Sequence, residues 1–397
     1  MIDTNPKKIE EALTRGVEKI LPSKKGLARL MKERKIRLYL GVDPTSPELH
    51  LGHAIPLKKL REFQGLGHEV ILLFGTFTAQ IGDPSERDEE RKPLTLEQIK
   101  KNMATYRRQA AKILDISKVK IKHNADWLAK LTFKDLIEIA SHFTTSRLLE
   151  RDMFQHRLRK GGEVWVSEFL YPLMQGYDSV AMNVDLEIGA RDQLFNMLVG
   201  RKLQKIYNEK EKFILTTPML LGLDGRKMSK TYSNTVNITD SPDEMYGEIM
   251  SLKDELILQY FRLCTEVPEK EIREIEENLK LKKINPRDTK TKLARKIVSI
   301  YHGKEAARKA EKEFNKIFKE KKLPTKIPGF SLKEKKLNIL DLLIKPKLIS
   351  SKSEAKRLIL QKGVRINGEI QNDWRKIIEV KKGMLIQVGK RKFLKLT

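Results

Sequence analysis

A strand, a turn, a helix and a second strand between residues 36 and 74 constrain the fold of this chain more than any other feature. Residues 36–42 are almost entirely apolar and predict a buried strand, which the proline-rich segment 43–47 ends as a turn. A helix is predicted over residues 50–65, and the apolar run 69–74 predicts a second buried strand. Two strands joined by a helix form a parallel pair with a right-handed crossover, so we predict an α/β domain with a Rossmann-like parallel sheet.

Two short motifs point to phosphate chemistry. His50-Leu-Gly-His53 falls at the start of the predicted helix, where unpaired backbone N–H groups and the helix dipole favour an anion. Far downstream, Lys227 and Lys230 lie in a glycine-containing segment whose composition suits a mobile clamp on a polyphosphate. Considered alone, His50 and His53 could also be two ordinary surface histidines.

Composition bounds the class of protein. The net charge of +27 favours a polyanionic partner such as nucleic acid, although a lysine-rich composition from an AT-rich genome or a hot habitat would give the same charge. The single cysteine, Cys264, excludes an internal disulfide framework and cysteine-based zinc sites. No apolar run approaches the roughly 20 residues of a membrane helix, and no signal peptide is recognised, so we expect a cytoplasmic protein without a membrane partner.

The middle of the chain is predicted to alternate helices and strands. Residues 95–160 are predicted to be a helical insertion or a subunit contact, and Ser167 to cap the next helix. In that helix Tyr171, Gln175 and Asp178 share one face among apolar neighbours, which indicates a specific pocket. Strands are predicted at 181–188 and 213–217, with a polar turn at 189–193 and a helix at 195–206 between them.

The C-terminal part has a different pattern. Residues 241–327 are predicted to be helical, with Pro242 and Pro268 at helix starts and Pro286 in a break, and 321–329 a linker. Residues 337–397 contain a capping-box helix at Ser351 and a hairpin at Asn367-Gly368. This tail has fifteen lysines and arginines against five acidic residues, a net charge of +10. We predict three domains: 1–235, catalytic; 236–328, α-helical; and 337–397, a small α+β domain for RNA.

Four motifs give the chain a resemblance to the tyrosyl-tRNA synthetases of class I, in their bacterial form. His50–His53 and Lys227–Lys230 resemble the HIGH and KMSKS signatures, and the segments 39–45, 80–85 and 171–178 resemble the segments that bind tyrosine. The tail resembles the αL RNA-binding fold shared with a ribosomal small-subunit protein, which the related tryptophanyl enzymes usually lack. The middle domain would then lie on the anticodon side of the transfer RNA.

The resemblance implies a set of site residues. Tyrosine would be bound by Tyr39, Asp43, Asp83, Tyr171, Gln175, Asp178 and Gln193. ATP would be bound by Gly41, Gly52, His53, Asp192, Lys227, Met228 and Lys230. Catalytic roles would fall to Thr45, His50, His53, Arg87, Arg91, Lys227 and Lys230. Transfer RNA would contact Lys352, Lys356, Arg357, Lys362 and Arg365.

The implied reaction is ATP-dependent activation of L-tyrosine to tyrosyl-adenylate, followed by transfer to the 3′ end of tRNA(Tyr). Magnesium would enter with ATP, no structural metal is expected, and the enzyme would be a homodimer with Trp127, Leu128, Phe143 and Phe154 offered as contact residues. Two departures stand out, because Arg191 replaces the small residue of a Gly-Gly-Thr/Ser-Asp-Gln pattern and Glu86 replaces a glycine. The alternatives are a tryptophanyl-tRNA synthetase and an inactive RNA-binding protein with the synthetase fold.

Overall fold

The computed structural model describes residues 2–83, 94–229, 232–318, 320, 323, 327–332, 334–349, 351–389 and 392–397. The chain folds into two compact units, one formed by Met1–Asp240 with Leu252–Leu293 and the other by Ser241–Ser251 with Ala294–Thr397. The three-domain division expected from the sequence stays a prediction.

The strands are short and most lie in the first unit or in the tail. In chain order they are β1 (Lys19–Leu21), β2 (Arg37–Val42), β3 (Glu69–Phe74), β4 (Val119–His123), β5 (Leu186–Ala190), β6 (Phe213–Thr217), β7 (Gly329–Phe330), β8 (Lys336–Asn338), β9 (Val364–Ile366), β10 (Glu369–Gln371), β11 (Ile377–Glu379), β12 (Leu385–Val388) and β13 (Lys392–Leu396).

The helices connect these strands. In chain order they are α1 (Pro6–Ala12), α2 (Lys24–Glu33), α3 (Leu51–Gly65), α4 (Leu96–Ala110), α5 (Ala125–Leu128), α6 (Phe133–Ser141), α7 (Thr145–Leu149), α8 (Asp152–Arg159), α9 (Val166–Met182), α10 (Leu194–Asn208), α11 (Pro242–Met250), α12 (Ile257–Cys264), α13 (Glu269–Lys280), α14 (Pro286–His302), α15 (Lys304–Phe318), α16 (Ile339–Ile344) and α17 (Lys352–Leu360). Among the described residues, no helix has both the length and the apolar character needed to cross a bilayer.

The first unit is built on a six-stranded sheet in the order β1-β6-β5-β2-β3-β4. Every neighbouring pair is parallel except β1 with β6. The predicted α/β fold with a parallel sheet is therefore confirmed. Strand order reverses beside β2, which has β3 on one side and β5 on the other, and ligands of open α/β sheets bind outside the carboxyl ends of strands at such a position.

The sequence predicted β2, α3, β3 and β6 well, but two elements were wrong. Residues 119–123 form β4 rather than part of a helical insertion, and they extend the parallel sheet beyond β3. Helix α9 begins after Trp165 instead of after a Ser167 cap, and it continues to Met182. The left-handed backbone of Asn183, with φ 47°, ends α9, so the next strand starts at residue 186 rather than 181.

Proline begins both α1 and α14. In α1, Pro6 is the first helical residue, and the Asn5 side chain before it accepts hydrogen bonds from Lys7 N–H and Lys8 N–H. Pro286, which was placed in a break, instead begins α14. This position suits proline because the first turn of a helix does not need its missing N–H.

The tail of the second unit is a small α+β fold with its own core. Its five-stranded sheet has the order β10-β9-β12-β13-β7, and β8 pairs separately with β11. Asn367 and Gly368, with φ 50° and 89°, form the predicted hairpin turn between β9 and β10. The core contains Ile339, Leu342, Leu343, Ala355, Ile359, Val364, Ile386 and Leu396. Two of the strands come from residues 329–338, which the sequence assigned mostly to a linker and to the chain before the tail.

Candidate active site

A pocket of about 220 Å³ opens where β2, β3 and β5 end. The segments after those strands and one face of α9 form its walls. The predicted site residues that line it are Tyr39, Gly41, Asp43, Thr45, His53, Asp83, Tyr171, Gln175, Asp178, Asp192 and Gln193. Residues far apart in sequence thus meet at the sheet edge where the strand order predicts a ligand.

Asp178 is a buried carboxylate of this pocket, with 3% of its surface exposed. Its Oδ1 accepts a hydrogen bond of 2.8 Å from Trp127 Nε1, and its Oδ2 accepts one of 3.3 Å from Asn124 Nδ2. Burial raises the pKa of Asp178 well above its usual range, and these two donors partly oppose that shift. The carboxyl group is therefore fixed in orientation in a largely dry environment.

Tyr39 lies on β2 and is fully buried. Its hydroxyl is 3.0 Å from Ser179 Oγ. Burial and the negative charges of Glu187 and Asp178 raise the pKa of Tyr39 well above 10.0, so the hydroxyl keeps its proton. A protonated phenol and a carboxyl group at one end of a pocket can recognise a hydroxyl group that both donates and accepts hydrogen bonds.

Asp43 ties three elements together at the mouth of the pocket. Its Oδ2 accepts a hydrogen bond of 2.9 Å from Tyr171 Oη, and its Oδ1 accepts one of 2.8 Å from Thr78 Oγ1. A Cβ at Gly75 would lie 1.9 Å from Asp43 Oδ1, so only glycine fits there. Burial raises the pKa of Tyr171 well above its usual value, and the negative charges of Asp43 and Asp83 add to this shift. Asp43 thus positions Tyr171.

A row of amides connects α9 with the segment after β5. Gln175 Nε2 donates to Glu187 Oε1 at 3.2 Å, and Asn196 Nδ2 donates to Gln175 Oε1 at 3.0 Å and Gln193 Oε1 at 3.2 Å. Gln193 Nε2 in turn donates to Asp83 Oδ2 at 2.7 Å. Polar groups that line one wall are therefore held in a single network, which limits the orientations each can adopt.

The His50–His53 motif caps α3, as predicted. The His50 backbone N–H donates to His53 Nδ1 at 3.3 Å, so the neutral His53 ring carries its proton on Nε2. The two ring centroids are 3.8 Å apart. A Cβ at Gly52 would lie 3.0 Å from His50 Nδ1 and 3.6 Å from Met228 Sδ. The two signature motifs therefore lie next to each other.

The segment with Lys227 and Met228 is organised by Asn234, which is 3% exposed. Asn234 Oδ1 accepts from Ser229 N–H at 2.8 Å, and its Nδ2 donates to Lys227 O at 3.0 Å and to Asp224 Oδ1 at 2.7 Å. Hydrogen bonds lower the pKa of Asp224 to about 2, and the one from Asn234 makes the largest contribution. Leu51 N–H donates to Val236 O at 2.9 Å, so this segment runs beside the start of α3.

Some of the residues named from the sequence cannot be compared with this pocket. Arg87, Arg91, Lys230 and the departure at Glu86 are outside the described residues. Arg191, the other departure, forms an ion pair of 3.0 Å with Glu18. It therefore points to β1 rather than into the pocket, although its neighbour Asp192 lines the pocket.

The residues missed by the sequence are mainly those that orient the predicted ones. They are Asn124, Trp127, Ser179, Glu187, Asn196, Lys212 and Asn234. Trp127 was expected at a subunit contact, but its indole N–H donates to Asp178. Asn124 directly follows β4. Had the sequence predicted that strand, Asn124 would have been recognised as a polar residue at a strand end.

The predicted RNA-binding residues lie on the surface of the tail. Lys352, Lys356 and Arg357 are exposed on α17, and Lys362 and Arg365 are exposed in the segment that follows it. Lys356 Nζ lies 4.3 Å above the Trp374 ring, and the Arg375 guanidinium lies 4.6 Å from it. Exposed cations around an aromatic ring are typical of surfaces that contact nucleic acid.

Comparison with known families agrees with this geometry. Residues 31–319 match the model of tRNA synthetases class I (W and Y), and residues 319–396 match the Tyrosine--tRNA ligase SYY-like C-terminal domain. The chain belongs to the tyrosine–tRNA ligase family of class I tRNA synthetases.

Individual relatives extend the match over the whole chain. The tyrosine–tRNA ligase of Thermotoga maritima is 47% identical over 99% of this chain and 98% of its own length. That of Carboxydothermus hydrogenoformans is 45% identical over 97% of each chain. Among solved structures, a truncated mitochondrial tyrosyl-tRNA synthetase of Coccidioides posadasii is 25% identical, with a TM-score of 0.62, covering 77% of this chain and 90% of that one.

Proposed function

We propose that this chain activates L-tyrosine with ATP to form tyrosyl-adenylate and then transfers the tyrosyl group to the 3′ end of tRNA(Tyr). The observation that carries the proposal is that two buried polar residues, Tyr39 and Asp178, line the same pocket and are each held by a hydrogen bond to a neighbour. This pocket lies at the sheet edge to which the first signature motif also belongs, since His53 lines it. Family membership supports the same activity.

In this proposal the phenol of tyrosine lies between Tyr39 and Asp178, and its ammonium group is held by Asp83, Tyr171 and Gln175. Phenylalanine would leave the buried polar groups unpaired, which can be worth a factor of about 10⁴ to 10⁵ in discrimination. Gln193 lies near the substrate carboxylate. Asp43 takes a positioning role, because both of its carboxylate oxygens already accept hydrogen bonds from the protein.

ATP would extend from this pocket toward the signature motifs. Gly41, Gly52, His53 and Met228 lie against the nucleotide, Asp192 near its ribose, and Thr45, His50, Lys227, Lys230, Arg87 and Arg91 act on the phosphates. The tyrosine carboxylate is already an anion and attacks the α-phosphorus directly, so positioning and charge stabilisation supply the catalysis. Magnesium enters with ATP as part of the substrate.

The second unit would bind the transfer RNA through phosphate contacts made by the basic residues of the tail. We also propose a cytoplasmic homodimer. Leu128 and Phe154 are buried within the chain and cannot serve as contacts. Exposed apolar residues of the same region, Phe133, Ile137, Trp165 and Val166, support the dimer instead. Sedimentation of a monomer at micromolar concentration would contradict it.

Exchange of labelled pyrophosphate into ATP, measured with each of the twenty amino acids, tests the proposal directly. Only tyrosine should support exchange. Exchange with tryptophan would assign the chain to the other branch of its class, and exchange with no amino acid would leave RNA binding as its activity.

A further inference from the structure

A fully buried ion pair lies behind the pocket. Lys212 directly precedes β6 and is 0% exposed, and its ammonium donates a hydrogen bond to Glu187 Oε2 on β5. The same ammonium donates to Ser179 Oγ at 2.8 Å. Glu187 lines the pocket and is the register partner of Tyr39 in the neighbouring strand. The pair therefore lies next to the residue proposed to contact the phenol of tyrosine.

The backbone is shaped to admit this lysine. A Cβ at Gly200 would lie 2.5 Å from Lys212 Nζ and 2.9 Å from Ser179 Oγ, so the absence of a side chain at Gly200 leaves the room that the ammonium occupies. Burying a charged pair is costly, and well-packed apolar residues in its place are often as stable. Stability alone thus gives little reason for Lys212 to be there.

The chemistry of these groups determines which of them donates in each hydrogen bond. An ammonium group can only donate, so Ser179 Oγ must accept from Lys212, and among the described contacts Tyr39 Oη is the group to which Ser179 can pass its own proton. Glu187 accepts from Lys212 at Oε2 and from Gln175 at Oε1. Glu187 also attracts the Tyr39 proton, and by binding Glu187 Oε2 the Lys212 ammonium weakens that competition, so that the proton can be shared with a ligand in the pocket.

We propose that Lys212 is a positioning residue for hydroxyl recognition. It fixes the direction of the hydrogen bonds that run from its own ammonium group through Ser179 to Tyr39. Tyr39 then presents a donor to the phenol oxygen of the substrate. This inference rests on the proposed function and deepens it, because it assigns part of the preference for tyrosine over phenylalanine to a residue that does not touch either amino acid.

The test is the double variant Lys212→Met with Glu187→Gln, which removes both charges together and keeps an oxygen to accept from Gln175. We expect the ratio of kcat/KM for tyrosine over phenylalanine in pyrophosphate exchange to fall by about tenfold. The fall should come from a rise in the KM for tyrosine that is larger than any change in the KM for phenylalanine. A general packing defect would lower both substrates alike.

Ser179→Ala provides a second route to the same result, because it removes the oxygen between Lys212 and Tyr39 while keeping the ion pair. Lys59→Met is the matched control: Lys59 is 2% exposed and paired with Glu62, but it donates to Ala12 O and Arg15 O away from the pocket. Its ratio should equal that of the unaltered protein.

The outcomes separate the two levels of the proposal. If the unaltered protein shows no tyrosine-dependent exchange, the proposed function is wrong and this inference falls with it. If the unaltered protein is active and both the double variant and Ser179→Ala keep the ratio within about twofold, the inference alone is overturned.

Discussion

The pocket of the first unit and the basic surface of the tail differ in burial, and therefore in the kind of contact that each can make. In the pocket, Tyr39 and Asp178 are almost fully buried, and each polar atom is held by a specific neighbour. On the tail, Lys356 and Arg357 are exposed to water. Burial makes each pocket interaction strong and sensitive to geometry, whereas exposed charges are screened and act additively.

Single substitutions should therefore have larger effects in the pocket than on the tail. A buried acceptor lost from the pocket leaves its donors unpaired, so one residue can decide selectivity. One cation lost from the tail removes a single phosphate contact among several.

Asp178→Ala should reduce the preference for tyrosine over phenylalanine by about a hundredfold or more, because the acceptor for the phenolic proton disappears. The measurement is kcat/KM for both amino acids in pyrophosphate exchange. Asp185→Ala is the matched control, since Asp185 is 2% exposed but pairs with Arg34 and Lys210. Undiminished selectivity in Asp178→Ala would show that the pocket does not recognise the hydroxyl through this residue.

Replacing Lys356, Arg357, Lys362 and Arg365 together with glutamine should weaken transfer RNA binding by about tenfold or more. The slope of log affinity against log salt should become less steep by about three units. Exchange of pyrophosphate should not change, because this surface takes no part in activation.

The control for the tail variant replaces four exposed cations of the first unit: Lys25, Arg29, Lys32 and Lys35. An equal loss of affinity in both variants would mean that net charge, not the tail surface, determines binding.

His68 tests burial through pH. Burial lowers its pKa to about 4, with Lys35 adding to the shift, so the folded protein binds this proton less readily than the unfolded chain. The stability that His68 contributes is therefore fully present above pH 6.5 and is lost as the pH falls toward 4, by about 2 kcal/mol between pH 6.5 and 4.5.

His68→Asn keeps an acceptor for Ile36 N–H and removes the titration, so urea unfolding at several pH values should show a flatter dependence. His156→Asn changes an exposed histidine and should leave the dependence as it was. The tail contains no histidine. The prediction is wrong if His68→Asn and the unaltered protein lose stability in parallel.

Gly368→Ala should destabilise the β9–β10 hairpin by about 1 kcal/mol, because the φ of 89° strains any residue with a Cβ. Gly161→Ala has a φ of 76° and equally open surroundings in the first unit. Hydrogen exchange should therefore report each loss only near its own site. A change that spreads from Gly368 to the amides of β2 would contradict the separation of the two regions.

Local chemistry made much of this fold predictable from the sequence. Continuous apolar runs identified β2, β3 and β6, and Asn367-Gly368 identified its hairpin, because each signal lies within a few residues. The strand β4 was missed because Lys120 and Lys122 alternate with only two aliphatic residues at the edge of the sheet, among helices. There, pairing with β3 rather than intrinsic preference decides the conformation.

The residues of the candidate site were likewise predictable only where a local sequence signal marked them. Motifs and family resemblance brought Tyr39, Asp178 and the histidines to attention, and the structure places them as neighbours of one edge. The residues that contact them, such as Asn124 and Ser179, carry no local signal, because those contacts join segments that are distant in the sequence.

The close approach of α9 and α10 affects how the pocket could change during evolution. A Cβ at Gly176 would lie 2.8 Å from Val199 Cγ1 and 3.1 Å from Gly200 N, on the side of α9 that faces away from the ligand. A larger residue there would push the helix toward the pocket and move Tyr171, Gln175 and Asp178 together. Libraries designed to admit modified tyrosines should therefore randomise the contacts behind α9 as well as the pocket lining, because the space available to the ring depends on both.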